Sequence, residues 1–287
     1  MQQRILLILF IGLIGVSFGG PLARYVPDMA AVSIAFWRMA LASSMLWMFS
    51  GVKTQGKLTQ EKFPLIIIAG IFLALHFTCF YAAVKLAPIA NASLFATLAP
   101  LFTLAYERFH LKRRLSKAAL AGLYFAIIGA VIVQGGDLTF ESDESVGNLF
   151  ALASSMFMSV VLIIGERIRV DVSNTLYTRW LYLFAAVTLG ILALGSGTSL
   201  GFQLSDIKWL LGLAILPTLI GHNSMSFAVK YLRPTIVGSM PFGEPVGASI
   251  LAWLLFGELP GFYLVIGGGI TLTGLIILTL NRNAGQQ

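Results

Sequence analysis

Five ionisable side chains stand well inside long apolar stretches of this chain: Arg38, His76, Arg179, His222 and Glu244. Their types define the chemistry on offer. Of the 12 Asp and Glu residues, Glu244 is the only one deep in such a stretch, within Gly243-Glu244-Pro245-Val246-Gly247. A carboxylate surrounded by hydrocarbon must be paired, protonated or turned toward water. It can carry a proton, hold an ammonium group, or tie helices together through an arginine. Histidine titrates near neutrality and can donate to a carboxylate. His222 and Ser226 lie one helical turn apart, with Asn223 beside them, so both can face one cavity. His76, Phe80 and Ala83 likewise share a helical face. Arg38 and Arg179 can hold a substrate carboxylate or form gates; they can equally snorkel to lipid headgroups.

Other chemistries find little material. No His-x-x-x-His spacing accompanies the histidines and no second acid is near them in sequence, so no metal site is expected. The lone Cys79 excludes an internal disulfide framework and a cysteine zinc site. There is no Gly-x-Ser-x-Gly, no His-Glu-x-x-His and no pair of buried aspartates, and one isolated Glu is poor material for acid–base catalysis. The Gly-rich segments at 15–19, 243–247 and 267–269 lack the Lys-Ser/Thr of a phosphate loop and read as tight helix crossings. No cofactor is expected. Asn91, Ser93, Thr97, Ser154, Ser155 and Ser239 can line a polar cavity, although Ser and Thr in such runs commonly bond back to their own helix. Phe80, Tyr81, Phe95 and Phe242 can form its apolar walls.

These residues need elements to position them. The 287 residues are 57% hydrophobic and 11% charged, against about 25% charged in soluble domains. Lipid is therefore the expected solvent. Ten apolar runs, roughly 4–21, 30–50, 63–84, 88–106, 116–134, 146–165, 174–194, 207–229, 234–256 and 261–280, have the length of membrane-crossing helices and no period-two alternation. The first run, after Arg4, is read as a retained span rather than a signal peptide, because no small-residue cleavage site follows. Ten spans put both termini on one side. Fourteen of the 19 Lys and Arg residues fall on that side and three (Arg24, Lys85, Lys208) on the other. This split predicts cytoplasmic termini and an outward-facing acidic 137–144 connection. It also explains the net charge of +7 without any nucleic-acid partner.

The halves repeat. An offset of 145 carries Ala83-Val84-Lys85 onto Ala228-Val229-Lys230, Pro100 onto Pro245, Gly122 onto Gly267 and Gly129 onto Gly274; an offset of 141 carries Arg38 onto Arg179. Five spans per half is odd, so the second half enters the membrane inverted, as in many transporters with a site near the midplane. Glu244 falls opposite Ala99, so the acid is not part of the repeated pattern.

Phe80-Tyr81-Ala82-Ala83-Val84-Lys85, Leu98-Ala99-Pro100-Leu101-Phe102, Phe227-Ala228-Val229-Lys230, Gly243-Glu244-Pro245-Val246 and Leu254-Leu255-Phe256-Gly257-Glu258 together resemble the two EamA-type repeats of the drug/metabolite transporter superfamily. Phe36-Trp37-Arg38 is similar to the family's second-span arginine. Two departures stand out. The acid that the family often has near the end of the fourth span is not reached from Glu258 by the offset of 145, which lands on Arg113, with Glu107 nearby. Ser17-Phe18-Gly19 replaces a frequent first-span Trp.

The expectation is an all-α membrane protein of ten transmembrane helices in two inverted five-helix repeats, residues 1–140 and 145–282. The resemblance implies a secondary transporter, not an enzyme, that exports amino acids or related amphipathic metabolites across the bacterial inner membrane as a monomer or homodimer. Its small-molecule site is expected between the third, fourth, eighth and ninth spans, with contributions from the first and sixth, from His76, Phe80, Asn91, Phe95, Ser155, His222, Asn223, Ser226 and Glu244, with Arg38 and Arg179 near opposite ends of the path as gates or carboxylate contacts. Uptake or exchange of phosphorylated or adenosyl metabolites is an alternative, for which two buried arginines are few. A passive channel or an intramembrane enzyme is the alternative of another class.

Overall fold

The computed structural model describes residues 2–50, 58–134 and 144–281. Lys53, Lys57, Arg282 and all but Glu144 of the acidic 137–144 connection lie outside them. The described residues are helical, with no β-strand among them. In chain order the helices are α1 (Gln2–Ser17), α2 (Gly19–Ala23), α3 (Ala31–Ser50), α4 (Phe63–Leu86), α5 (Ile89–Ala96), α6 (Ala99–Ala105), α7 (Lys117–Gln134), α8 (Ser145–Arg169), α9 (Asn174–Gly195), α10 (Ile207–Leu213), α11 (Asn223–Ala228), α12 (Pro234–Gly238), α13 (Glu244–Phe256) and α14 (Phe262–Leu280). π-helical segments follow α6 (Tyr106–His110) and α10 (Ala214–His222), and a 3-10 turn, Met240–Gly243, separates α12 from α13.

Eight segments among the described residues are long and apolar enough to cross a membrane. The fourth and ninth runs of the sequence are not among them, because each is broken near its middle. Pro100 stands in the first turn of α6 and Pro245 in the first turn of α13. Proline has no N–H and is tolerated at the start of a helix, so each restarts a helix after an irregular stretch. The repeat offset thus aligns two equivalent breaks.

Glycines set the closest packing. On α7, Phe125 and Ile128 are exposed while Gly122, Ala126 and Gly129 are buried against α14. A Cβ on Gly274 would lie 2.6 Å from the Gly122 carbonyl oxygen, and one on Gly267 2.6 Å from that of Gly129. The numbers run in opposite directions, so α7 and α14 cross antiparallel. The α3–α9 pair does the same: Ser33 Oγ donates to Ser199 O at 2.6 Å and Ser43 Oγ to Arg179 O at 2.8 Å. At the α6–α12 contact, Pro100 meets Gly238 while Glu107 meets Thr235. The apolar faces left outside this packing, such as Leu7 and Phe10 on α1 and Ile191 and Leu194 on α9, are exposed, as lipid-facing surfaces are.

Candidate functional site

The π-helical segment Ala214–His222 shapes the centre. Pro217 inside it removes a backbone donor. Thr218 Oγ1 donates to Leu213 O at 2.9 Å, five residues back, and so occupies a carbonyl in the widened turn. The same Thr218 hydroxyl, fully buried, accepts from Arg38 Nε at 3.4 Å.

Arg38 is the hub. It is 7% exposed, and its guanidinium carbon lies 5.2 Å from the centre of the Phe77 ring. Phe77 in turn stands edge-on to His222 at 5.8 Å and beside His76 at 5.0 Å. The Arg38 charge acts on His76, His222 and Glu244. Among the described residues the two terminal nitrogens of Arg38 make no hydrogen bond and no ion pair within 4.0 Å. Three of the five ionisable residues singled out in the sequence, Arg38, His76 and His222, therefore converge around Phe77 from α3, α4 and the π segment, and the Arg38 charge reaches Glu244 on α13.

Glu244 opens α13, directly after the 3-10 turn. It is half-buried, and its carboxylate makes no hydrogen bond among the described residues. Its surroundings are fixed through its backbone: Ser17 Oγ reaches the Glu244 carbonyl at 3.5 Å. A Cβ on Gly243 would lie 2.9 Å from Leu13. The flanking glycines thus let α1 approach, while the acid itself stays unbound.

His76 is held on one side. Its Nδ1 lies 3.0 Å from Ser154 O and 2.9 Å from Ser154 Oγ, and that hydroxyl donates to His76 O at 3.0 Å. With the serine proton directed at the carbonyl, Nδ1 is assigned as the donor and Nε2 as the acceptor. Tyr177, Tyr182, His222 and Ser226 border a small cavity of about 20 Å³ between α4, α8, α9 and α11. The buried Tyr177 and Tyr182 hydroxyls make no hydrogen bond of ordinary geometry among the described residues. This volume suits one water molecule, and Glu244 is not in its wall. Its wall comes from the third, sixth, seventh and eighth runs; of the expected chamber it includes the third, sixth and eighth, the seventh is added, and the fourth and ninth are absent from it.

The remaining expected residues are spread out. Asn91 is fully buried and donates to Asn148 Oδ1 at 3.2 Å. Phe95 packs on the Ala83, Ala92 and Ala151 cluster. Phe80 lies beside Tyr81, 5.4 Å between rings. Ser155 donates to its own helix at Leu152 O, 2.8 Å. Asn223 Oδ1 accepts from Asn174 Nδ2 at 2.7 Å, and Ser226 O accepts from Arg169 Nε at 3.0 Å. Arg179 does not join Arg38; its guanidinium stacks on Trp47 at 4.0 Å within the α3–α9 contact. Sequence reasoning did not single out Arg169 or Thr218, and named Glu107 only as an acid near the end of the fourth span. Pro217 was the visible signal for Thr218; Arg169 sits at a run end, where charge is ordinary.

Fold and site together define a multi-pass helical membrane protein with a small polar centre. Comparison with known proteins agrees. The description "EamA-like transporter family" matches residues 3–134 and 145–280. The chain belongs to that family, within the drug/metabolite transporter superfamily, and is a transporter rather than an enzyme. It is 24% identical to an uncharacterised transporter of Archaeoglobus fulgidus over 88% of each chain. It is 23% identical to the pseudopaline exporter CntI of Pseudomonas aeruginosa over 88% of this chain and 87% of that one. The transporter YdfC of Bacillus subtilis is 23% identical over 96% and 90% respectively. One crystal structure, 20% identical, superposes with a TM-score of 0.82 over 98% of this chain and 99% of that one, a likeness of fold.

Proposed function

We propose that the chain is a ten-span secondary transporter of two inverted repeats, 1–140 and 145–282, that moves small zwitterionic metabolites outward across the inner membrane by alternating access. The carrying observation is that Arg38 and Glu244, both ionisable and both inside the helical bundle, each lack a hydrogen bond at the charged end among the described residues and do not pair directly. A ligand with a carboxylate and an ammonium complements both, since the Arg38 fork matches a carboxylate and Glu244 matches a cation. Without ligand, a proton on Glu244 neutralises the carboxylate that the ammonium otherwise pairs, so exchange of a proton for the ligand at Glu244 couples transport to a proton gradient.

Inversion is supported by the antiparallel crossings of the repeat-related pairs α3 with α9 and α7 with α14, and by that of α6 with α12, which belong to the repeat-related fourth and ninth runs. The export direction is supported by similarity to the pseudopaline exporter. The test is uptake of a panel of amino acids and related amphipathic metabolites into proteoliposomes, with and without a pH gradient, for wild type and Glu244→Gln. Wild type is expected to move at least one zwitterion in a gradient-dependent way, and Glu244→Gln to lose that dependence. Normal, equally pH-dependent transport by Glu244→Gln removes the proton role. Preference for phosphorylated or adenosyl compounds replaces the substrate class.

A further inference from the structure

Glu107 is the one carboxylate among the described residues that is nearly sealed from solvent, at 1% exposed. It follows α6 at the end of the fourth run. Its Oε1 accepts from the Thr235 backbone N–H at 3.0 Å and from the Thr235 hydroxyl at 2.9 Å. Thr235 stands in the first turn of the ninth run, just after Pro234. A first-turn amide has no partner within its own helix, so a carboxylate from the other half of the molecule supplies it. The second oxygen, Oε2, is buried and unbonded among the described residues. Neighbouring charges complete the joint. Arg233 and Glu166 act on Glu107, Arg233 donates to Arg114 O at 2.8 Å, and Arg113 pairs with Glu166 at 2.7 Å.

The other end of the two broken runs carries similar parts, though not at the strict offset of 145. Glu258 follows the ninth run as Glu107 ends the fourth, and Pro88 precedes α5 as Pro234 opens α12. The offset of 145 does carry Arg24 onto Arg169. Their settings differ. Glu258 is exposed and pairs with Arg24 at 2.6 Å, and the Arg24 guanidinium lies 5.2 Å from the Phe256 ring centre. Arg169 is buried and donates to the Ser226 and Val172 carbonyls. At one end α6 packs on α12, whereas at the other α5 packs chiefly on α8 and α4, and α13 on α1 and α2. One end is latched and the equivalent end is released.

We propose that Glu107 and Glu258 are alternate latches of the access path. Each closes its own end by bonding the first turn of the facing broken span, and Arg24 holds Glu258 while its end is open. This rests on the alternating-access reading. The structure then represents the state with the Glu107 end closed.

The test uses spin labels, which report distance whether or not a substrate is known. On a Cys79→Ser background, labels at Phe109 and Tyr231 span the Glu107 end, and labels at Leu86 and Leu259 span the other; all four residues are exposed. Glu107→Ala removes two hydrogen bonds and is expected to shift the population roughly tenfold toward a longer 109–231 and a shorter 86–259 distance. Glu258→Ala is expected to shift it the opposite way. If Glu107→Ala does not fold, Thr235→Val removes one donor and is expected to give a smaller shift in the Glu107→Ala direction. Unchanged distributions, or shifts in one common direction for both glutamates, overturn the latch. Opposite shifts without transport of any zwitterion uphold the latch and reject only the substrate reading.

Discussion

Arg38 Nε and Thr218 Oγ1 are 3.4 Å apart, and the same hydroxyl donates to Leu213 O at 2.9 Å. One side chain thus mends the π-helical turn and steers the guanidinium. Thr218→Val keeps the shape and removes both roles. A buried hydrogen bond to a charged group contributes about 1.5–3 kcal/mol, so roughly a tenfold or greater rise in the half-saturating substrate concentration is expected. Arg38→Lys keeps charge but loses the planar fork and should cost more. Transport titrations of both variants check this; saturation unchanged in Arg38→Lys would remove the carboxylate contact.

His76 and Ser154 form a closed exchange of hydrogen bonds between α4 and α8. Ser154→Ala deletes one hydroxyl but leaves the Ser154 carbonyl for Nδ1. The expected loss is about 1 kcal/mol of stability, with the substrate profile retained. His76→Phe leaves the Ser154 hydroxyl with only the backbone carbonyl and removes Nε2 from the centre, so transport should fall further than stability. Thermal unfolding in detergent beside transport rates separates the two. Equal losses in both would make His76 a packing residue.

Depth of an ionisable group in an apolar run could be read from the chain, because it depends on local composition alone. That reading found Arg38, His76 and His222, which the fold places around Phe77, and Glu244, which opens α13. It also aligned Pro100 with Pro245, and the breaks stand there. Three features stayed hidden. The π turn at 214–222 needs Pro217 and a hydroxyl five residues from its acceptor, a spacing no amphipathic pattern carries. Glu107 was visible as an acid near the end of the fourth run, but not as a buried one, since its partner Thr235 is 128 residues away. Arg38 and Arg179 were equivalent by repeat, yet one faces the centre and the other Trp47, because the two halves are not packed identically.

The α7–α14 crossing gives a sharp stability prediction. A Cβ on Gly267 would lie 2.6 Å from the Gly129 carbonyl oxygen and 2.6 Å from the Val133 nitrogen, both backbone atoms that cannot swing aside. Gly267→Ala should therefore separate the helices and cost about 1–3 kcal/mol. Gly269→Ala, two residues on, meets nothing within 4 Å and should be neutral or slightly stabilising through its better helix propensity. Melting temperatures of the two variants decide it. Equal melting would mean that α7 and α14 are not in backbone contact.

Orientation determines which side each latch controls. The basic residues predict that the α3–α4 connection is cytoplasmic and the α9–α10 connection external. Glu61 and Leu204 are exposed in these two connections. On the Cys79→Ser background, Leu204→Cys should react with a membrane-impermeant maleimide in intact cells, and Glu61→Cys only after permeabilisation. Ion pairs at one end, Lys62 with Asp171 and Arg113 with Glu166, join the Glu61 side to the Glu107 latch. The expected labelling therefore makes Glu107 the cytoplasmic latch and Glu258 the external one, with the central Glu244 open outward. The reverse labelling would exchange the two, and the state described would face the cytoplasm.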